Sequence, residues 1–202
     1  MFITFEGGEG TGKSTQVKLL AERLRAQGKD VMTTREPGGT PEAEALRNLL
    51  VSGDIGRWSS EAEALLNYAA RDSHLRGVIR PALGAGKIVI CDRFMDSTRA
   101  YQGYAGDCSF SFIDKLEKEI VANTLPNITF VFALHPEIGL FRAKSRGATS
   151  EDRYERKGLE FHKKLNRGFL EIQQASPSRC KLIDASLDID GVASQIWTHL
   201  SG

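Results

Sequence analysis

The stretch FITFEGGEGTGKST, residues 2–15, decides the fold. Its first residues read as a short apolar strand. Gly7-Gly8-Glu9-Gly10-Thr11-Gly12-Lys13-Ser14-Thr15 then fits the pattern G-x-x-x-x-G-K-[ST] and runs into a helical repeat. Strand, glycine-rich turn and helix, in that order, form the setting in which such a run cradles phosphates. The glycines allow positive φ angles that turn successive backbone N–H groups inward around an anion. The helix behind them points its positive end at the same place. Lys13 adds a point charge for the outer phosphates, and the Ser14 hydroxyl suits Mg²⁺. The run from Gly7 to Thr15 therefore predicts a site for a nucleoside triphosphate.

Outward from this loop, strand and helix patterns alternate. Residues 14–27 read as a helix with Val17, Leu20 and Leu24 on one face and Gly28 as its stop. Residues 30–34, 87–91, 128–133 and 180–183 read as further strands; 87–91 has the continuous apolar character of a strand buried in a parallel sheet. Helical patterns open at Ser60, with a capping-box spacing to Glu63, and cover 112–122, 136–144, 159–174 and 189–200. Repeated βα units predict a P-loop NTPase fold of the α/β class, a parallel sheet of about five strands with helices on both faces. The whole chain, 1–202, reads as one such domain.

A net charge of +1 leaves no electrostatic footprint for nucleic acid or an anionic membrane. Three widely separated cysteines, Cys91, Cys108 and Cys180, argue for reduced thiols and against a disulfide scaffold or a zinc site. The chain enters a strand at once and has no apolar run of spanning length, so a cytoplasmic protein without a membrane span is expected.

No N-K-x-D motif is present, which excludes a guanine-reading switch protein, and the chain is small for a motor or helicase. A small phosphotransferase needs a second site that holds an acceptor in line with the triphosphate. Two segments at carboxyl ends of strands, where parallel sheets place ligands, could build it. They are Arg35-Glu36-Pro37-Gly38-Gly39-Thr40 and the run DRFMDSTRAYQG, residues 92–103. Asp92 ends a buried run, the position of a carboxylate acting on Mg²⁺. Arg93 beside it can grip a phosphate bidentately or pair locally with the aspartate. Residues 142–157, RAKSRGATSEDRYERK, are dense in charge. They read either as a solvated surface loop or as a small mobile lid carrying arginines to the phosphates.

The set GGEGTGKST, REPGGT, YAAR (68–71), DRFMDSTRAYQG and the arginine-rich segment closely resembles bacterial thymidylate kinase, over most of the chain. Its most specific part is D-R-F-x-x-S-x-x-A-Y-Q. The resemblance implies ATP and Mg²⁺ as cofactors, transfer of a phosphoryl group from ATP to dTMP, and a homodimer. It implies Lys13, Arg93, Arg146 and Arg153 as catalytic residues and Arg142 as a further contact to ATP beside the loop Gly7 to Thr15. Glu9, Glu36, Pro37, Arg47, Tyr68, Arg71, Arg93, Thr98, Tyr101 and Gln102 are implied for the acceptor, with Ser14 and Asp92 for the metal. Arg71 matches the arginine that donates to thymine O4, where cytosine presents an amino group. Thr98, Gln102 and Arg47 could equally serve the fold.

Two departures stand out. Where the family usually stacks a phenylalanine on the base, this chain has Asn67, so either Tyr68 supplies the ring from a rotated helix, or base affinity is weaker, or the register against the family is displaced by one residue. Some relatives place an arginine inside the phosphate loop, where this chain has Gly10. The missing charge must then come from 142–157. A kinase for another deoxynucleoside monophosphate and a non-catalytic ATP-dependent switch remain as rival functions.

Overall fold

The computed structural model describes residues 1–145 and 153–201. Runs of β-branched and aromatic residues form one parallel five-stranded sheet: β1 (Phe2–Gly7), β2 (Val31–Arg35), β3 (Ile88–Asp92), β4 (Ile128–Ala133) and β5 (Cys180–Asp184), in the order β2-β3-β1-β4-β5. The described helices are α1 (Lys13–Ala26), α2 (Pro41–Val51), α3 (Ser60–His74), α4 (Arg80–Gly84), α5 (Met95–Thr98), α6 (Phe110–Ile120), α7 (Pro136–Ser145), α8 (Leu159–Ala175) and α9 (Ile189–Ser201). Among the described residues no helix is long and apolar enough to cross a membrane.

The period of two along the strands divides the core. Ile3, Phe5, Ile90, Phe130, Phe132 and Ile183 face α1 and α9. Phe2, Val89 and Cys91 face α3 and α6, and Val131 faces α8. Sandwiched between helical layers, β1 and β4 are buried almost throughout, as predicted for parallel strands.

Helix starts follow side-chain caps. Ser59, not Ser60, caps α3: its Oγ accepts from Ala62 N at 3.2 Å. Glu63, expected to complete a capping box, is buried and used elsewhere. Ser109 caps α6, which starts two residues earlier than its apolar pattern predicts. Helix α2, not predicted, begins with Thr40 as cap and Pro41 in the first turn, a signal present in the sequence and overlooked there.

One polar strip crosses the α8 side of the sheet beneath the DRF segment. Thr4 and Thr129 share a hydroxyl hydrogen bond of 2.7 Å, and Arg179 joins Thr129 to Asp96 at 2.7 Å each. Glu6 accepts from Phe94 N (2.8 Å) and Ser97 Oγ (2.5 Å). Burial, then the neighbouring Asp96 carboxylate, push the Glu6 carboxyl up from 4.5 to about 7, against the hydrogen bonds and Arg93. Between those two values the folded chain holds a proton the unfolded chain has released, so this group's contribution to stability falls as pH rises through that window. Glu6→Gln is expected to remove that slope. Urea unfolding of both proteins at several values from about pH 5 to about pH 8 checks it, since a stability difference that does not change with pH contradicts the assignment.

Candidate functional site

The site lies where β1, β2 and β3 end. At Gly7, φ is +146° and a Cβ would stand 2.8 Å from the Phe132 carbonyl oxygen, so a side chain is excluded. At Gly10, φ is +67° and a Cβ would lie 2.0 Å from the carbonyl oxygen of Gly139 on α7. The loop therefore rests directly on the helix that leads into residues 146–152, and an arginine at position 10 has no room. Gly12, left-handed at φ 88°, caps α1.

Lys13 Nζ turns back onto Gly7 O (3.1 Å), Gly8 O (2.7 Å) and Thr11 Oγ1 (3.1 Å). Burial and the Arg93 charge push its ammonium down to about 8, against the pull of Asp92, Glu9 and Glu6. Ser14 Oγ donates to Asp92 Oδ2 at 2.5 Å. A cavity of about 410 Å³ opens over Glu9 to Thr15, Asp92 and Arg93, with Arg35, Glu36 and Arg47 also in its lining.

Arg93 joins this cavity to a second. Its backbone is left-handed, at φ 69°. Its Nη1 donates to Gly7 O (2.8 Å) and its Nη2 to Glu9 Oε1 (3.0 Å), which also accepts from Tyr101 Oη at 2.5 Å. Burial raises the Glu9 carboxyl, but the charges of Arg93 and Lys13 and the Tyr101 hydrogen bond outweigh it and hold Glu9 at about 2. The smaller cavity shares Glu9, Glu36, Arg47 and Arg93 with the first and adds Pro37, Asn67, Thr98, Tyr101, Gln102 and Tyr154. The charged cavity over the loop thus adjoins a smaller pocket lined mostly by polar side chains, with Pro37, Val51 and the rings of Tyr101 and Tyr154 as its apolar surface.

Arg71 stands behind the wall of this pocket. It donates to Glu36 Oε2 (2.8 Å), Thr98 Oγ1 (3.2 Å) and Phe94 O (2.9 Å), while His74 holds the other Glu36 oxygen at 3.1 Å. Tyr68 does not line the pocket. It is wholly buried in the α3 core, its ring 4.6 Å from the Arg71 guanidinium and its hydroxyl without a hydrogen-bond partner among the described residues, so the rotated-helix alternative is corrected: Asn67 faces the pocket. Arg47 lines both cavities and donates to Pro37 O at 3.1 Å.

The arginines of 142–157 divide. Arg142, at the end of α7, donates to Ala185 O at 3.1 Å, beside the turn after β5. Arg146 lies outside the described residues. Arg153 does not reach the phosphate cavity; it is wholly buried. Its guanidinium spends itself on Leu50 O, Asp54 O and Ile55 O, each at 2.9 Å, and on Glu63 Oε1 at 2.5 Å. The carbonyls left over at the end of α2 and in the loop after it attract a cation, and Glu63 neutralises it. Sequence reading missed Glu63, because its spacing from Ser60 already had a local explanation. It also missed Tyr154, whose contacts are long-range.

A parallel sheet of this order, with a phosphate loop after its central strand and a second pocket carrying Arg47 and Arg93 beside it, defines a P-loop nucleotide-binding protein with room for two ligands. A family model described as thymidylate kinase matches residues 5–196. The thymidylate kinase of Caulobacter vibrioides is 53% identical over 195 residues, 96% of this chain and 93% of that one. That of Bradyrhizobium diazoefficiens is 49% identical over 200 residues, covering 98% and 88%. The crystal structure of thymidylate kinase from Ehrlichia chaffeensis superposes with a TM-score of 0.80 at 37% identity, covering 100% of this chain and 98% of that one. The chain belongs to the thymidylate kinase family.

Arg153→Met leaves Glu63 buried with Lys157, 3.6 Å away, as its one remaining charged partner among the described residues. A loss of about 3–5 kcal/mol in unfolding free energy is expected, since removing one partner of a buried pair strands the other. Denaturant unfolding measures it, and a change within experimental scatter contradicts the structural role.

Proposed function

We infer that the protein transfers the terminal phosphoryl group of ATP to dTMP, giving ADP and dTDP, a step toward dTTP. The observation that carries this reading is the Arg93 junction, where one guanidinium joins the phosphate loop to the pocket beside it. Two phosphorylated ligands in these adjoining cavities would meet over Lys13 and Arg93. The acceptor is a phosphate that is already anionic, so no general base is needed. The work is positioning and neutralisation of spreading charge.

Lys13, released from the loop carbonyls, would follow the transferred group. Arg93 would hold the acceptor phosphate, with Arg47 beside it. Glu9, held ionised, would keep Arg93 and Tyr101 aligned toward the acceptor's sugar. Thr98 and Gln102 would meet the base, and Arg71 would act from behind Thr98 and Glu36. Residues 142–157 are proposed as the lid, with Arg146 carrying charge to the phosphates and Arg142 near the donor's base beside Ala185.

Ser14 and Asp92 suit Mg²⁺: a hydroxyl and a carboxylate meet beside the loop, and hard oxygens are what this ion takes. Among the described residues no cluster of three or more His, Cys, Asp or Glu forms a cage, which suits an ion that keeps water and substrate oxygens. When bound, it would offset phosphate charge. A cytoplasmic homodimer is part of the same proposal; sedimentation at several concentrations checks the dimer.

A coupled ADP-release assay with ATP, Mg²⁺ and a series of deoxynucleoside monophosphates tests the function. Turnover should require the acceptor and dTMP should rank among the best. Its margin over dUMP should be about 10–200-fold, the worth of one methyl group. ADP release indifferent to every acceptor would favour a nucleotide-dependent switch. Arg146→Ala is expected to lower kcat by about 10³-fold or more while dTMP affinity changes little. Equal small changes in both would return the segment to a surface loop.

A further inference from the structure

Glu63 sits on α3, outside the phosphate machinery, yet it is the buried centre at which the base pocket meets the chain returning from residues 146–152. Its side chain is 3% exposed. One carboxylate oxygen pairs with Arg153 at 2.5 Å and faces Lys157 Nζ at 3.6 Å. The other accepts from Gln102 Nε2 at 2.7 Å and from Tyr154 Oη at 3.1 Å. Tyr154 in turn stands edge-on to the pocket residue Tyr101, ring centroids 5.3 Å apart.

The chemistry of the Gln102 contact settles which way round its amide lies. A carboxylate only accepts, so the NH₂ end must face Glu63 and the carbonyl end must turn away from it. The same residue's main chain orders a second amide. Asn67 Nδ2 donates to Glu63 O at 2.8 Å, and a carbonyl likewise admits only the NH₂ end. Both amides line the smaller cavity, between Pro37, Thr98 and Tyr101. Residue 63 therefore engages the NH₂ end of both, with Tyr154 Oη a further 3.4 Å partner of Gln102 Nε2, and leaves their carbonyl oxygens turned away from it as the atoms with capacity to accept.

We propose that Glu63 is a positioning residue for base selection, fixing the Gln102 amide so that it offers an acceptor to a pyrimidine carrying a ring N–H. The proposal rests on the reading of this cavity as the acceptor base pocket. Thymine and uracil present N3–H as a donor, whereas the N3 of cytosine is an acceptor. A carbonyl oxygen held in place pairs with the first and repels the second. A freely turning glutamine would serve both by flipping. The carboxylate prevents the flip, because a flip would set oxygen against oxygen in a buried place. Arg153 and Lys157 pair with one Glu63 oxygen and Tyr154 donates to the other, so residues 153–157 support the base pocket.

The test compares wild type, Glu63→Gln and Gln102→Met, each with dTMP and dCMP, by kcat/KM and by calorimetric affinity. Glu63→Gln keeps the shape but can itself donate, so Gln102 is free to turn either way in its presence. The ratio of dTMP to dCMP should fall about tenfold or more in both variants, through KM and affinity more than kcat. Gln102→Met leaves the Glu63–Arg153 pair whole and reads out selectivity should Glu63→Gln fold poorly. A merely structural Glu63 would scale both substrates alike. A ratio unmoved in any folded variant, or a wild type that binds dCMP as tightly as dTMP, overturns the proposal. A wild type that binds dTMP selectively without phosphorylating it counts against the kinase reading alone, and the affinity ratios then decide the proposal.

Discussion

The ion pair between Arg93 and Glu9 is the constraint on which the site depends. Arg93 occupies a left-handed backbone conformation that a side chain rarely adopts, and the sheet holds it there through its own N–H to Phe5 O at 2.9 Å. From that position the guanidinium reaches the Gly7 carbonyl and the Glu9 carboxylate together. The end of β3 is thereby bound to the loop after β1, at the boundary the two cavities share. Glu9 stays ionised because two cations and a phenol face it, which in turn keeps Arg93 and Tyr101 aimed. An isolated carboxylate so deeply placed would take up a proton instead.

Around this junction the molecule manages buried charge in three different ways. Glu6, with a like charge in Asp96 nearby, moves toward its neutral form. Glu36 is shared between Arg71 and His74 and forms the wall of the pocket. Glu63 is neutralised by Arg153 from a distant part of the chain. The third arrangement joins the base pocket to α2, because the same arginine satisfies carbonyls at the end of that helix. The phosphate loop is linked to the opposite side of the same segment, since Gly10 and Gly139 leave no room between them for a side chain.

Much of this was legible in order of residues. All five strands, most helices and the phosphate loop rest on local patterns: a period of two or of 3.6, a cap, a glycine run. Errors cluster where two local explanations compete. Ser59 and Ser60 are adjacent hydroxyls, and only the backbone angles of Ser59 fit the cap. Asn67 and Tyr68 are neighbours on α3, and only the placement of α3 against β1 and β3 decides which one enters the core. The tyrosine goes inward because its ring fills space beside Arg71, while the asparagine can satisfy its amide at the pocket edge.

By itself the sequence determined a parallel α/β fold, a triphosphate loop at its first turn and an acceptor segment at Asp92 to Gly103, since each is written in contiguous residues whose spacing has one physical use. Only the tertiary structure decided the partners of the charges. Arg153 looks like Arg146 in the sequence, a basic residue in a charged run, yet it lies against a helix end and a carboxylate some ninety residues away. Charge acts through space with little regard for chain order. What a buried arginine or glutamate does is therefore set by what the fold brings within a few ångströms of it.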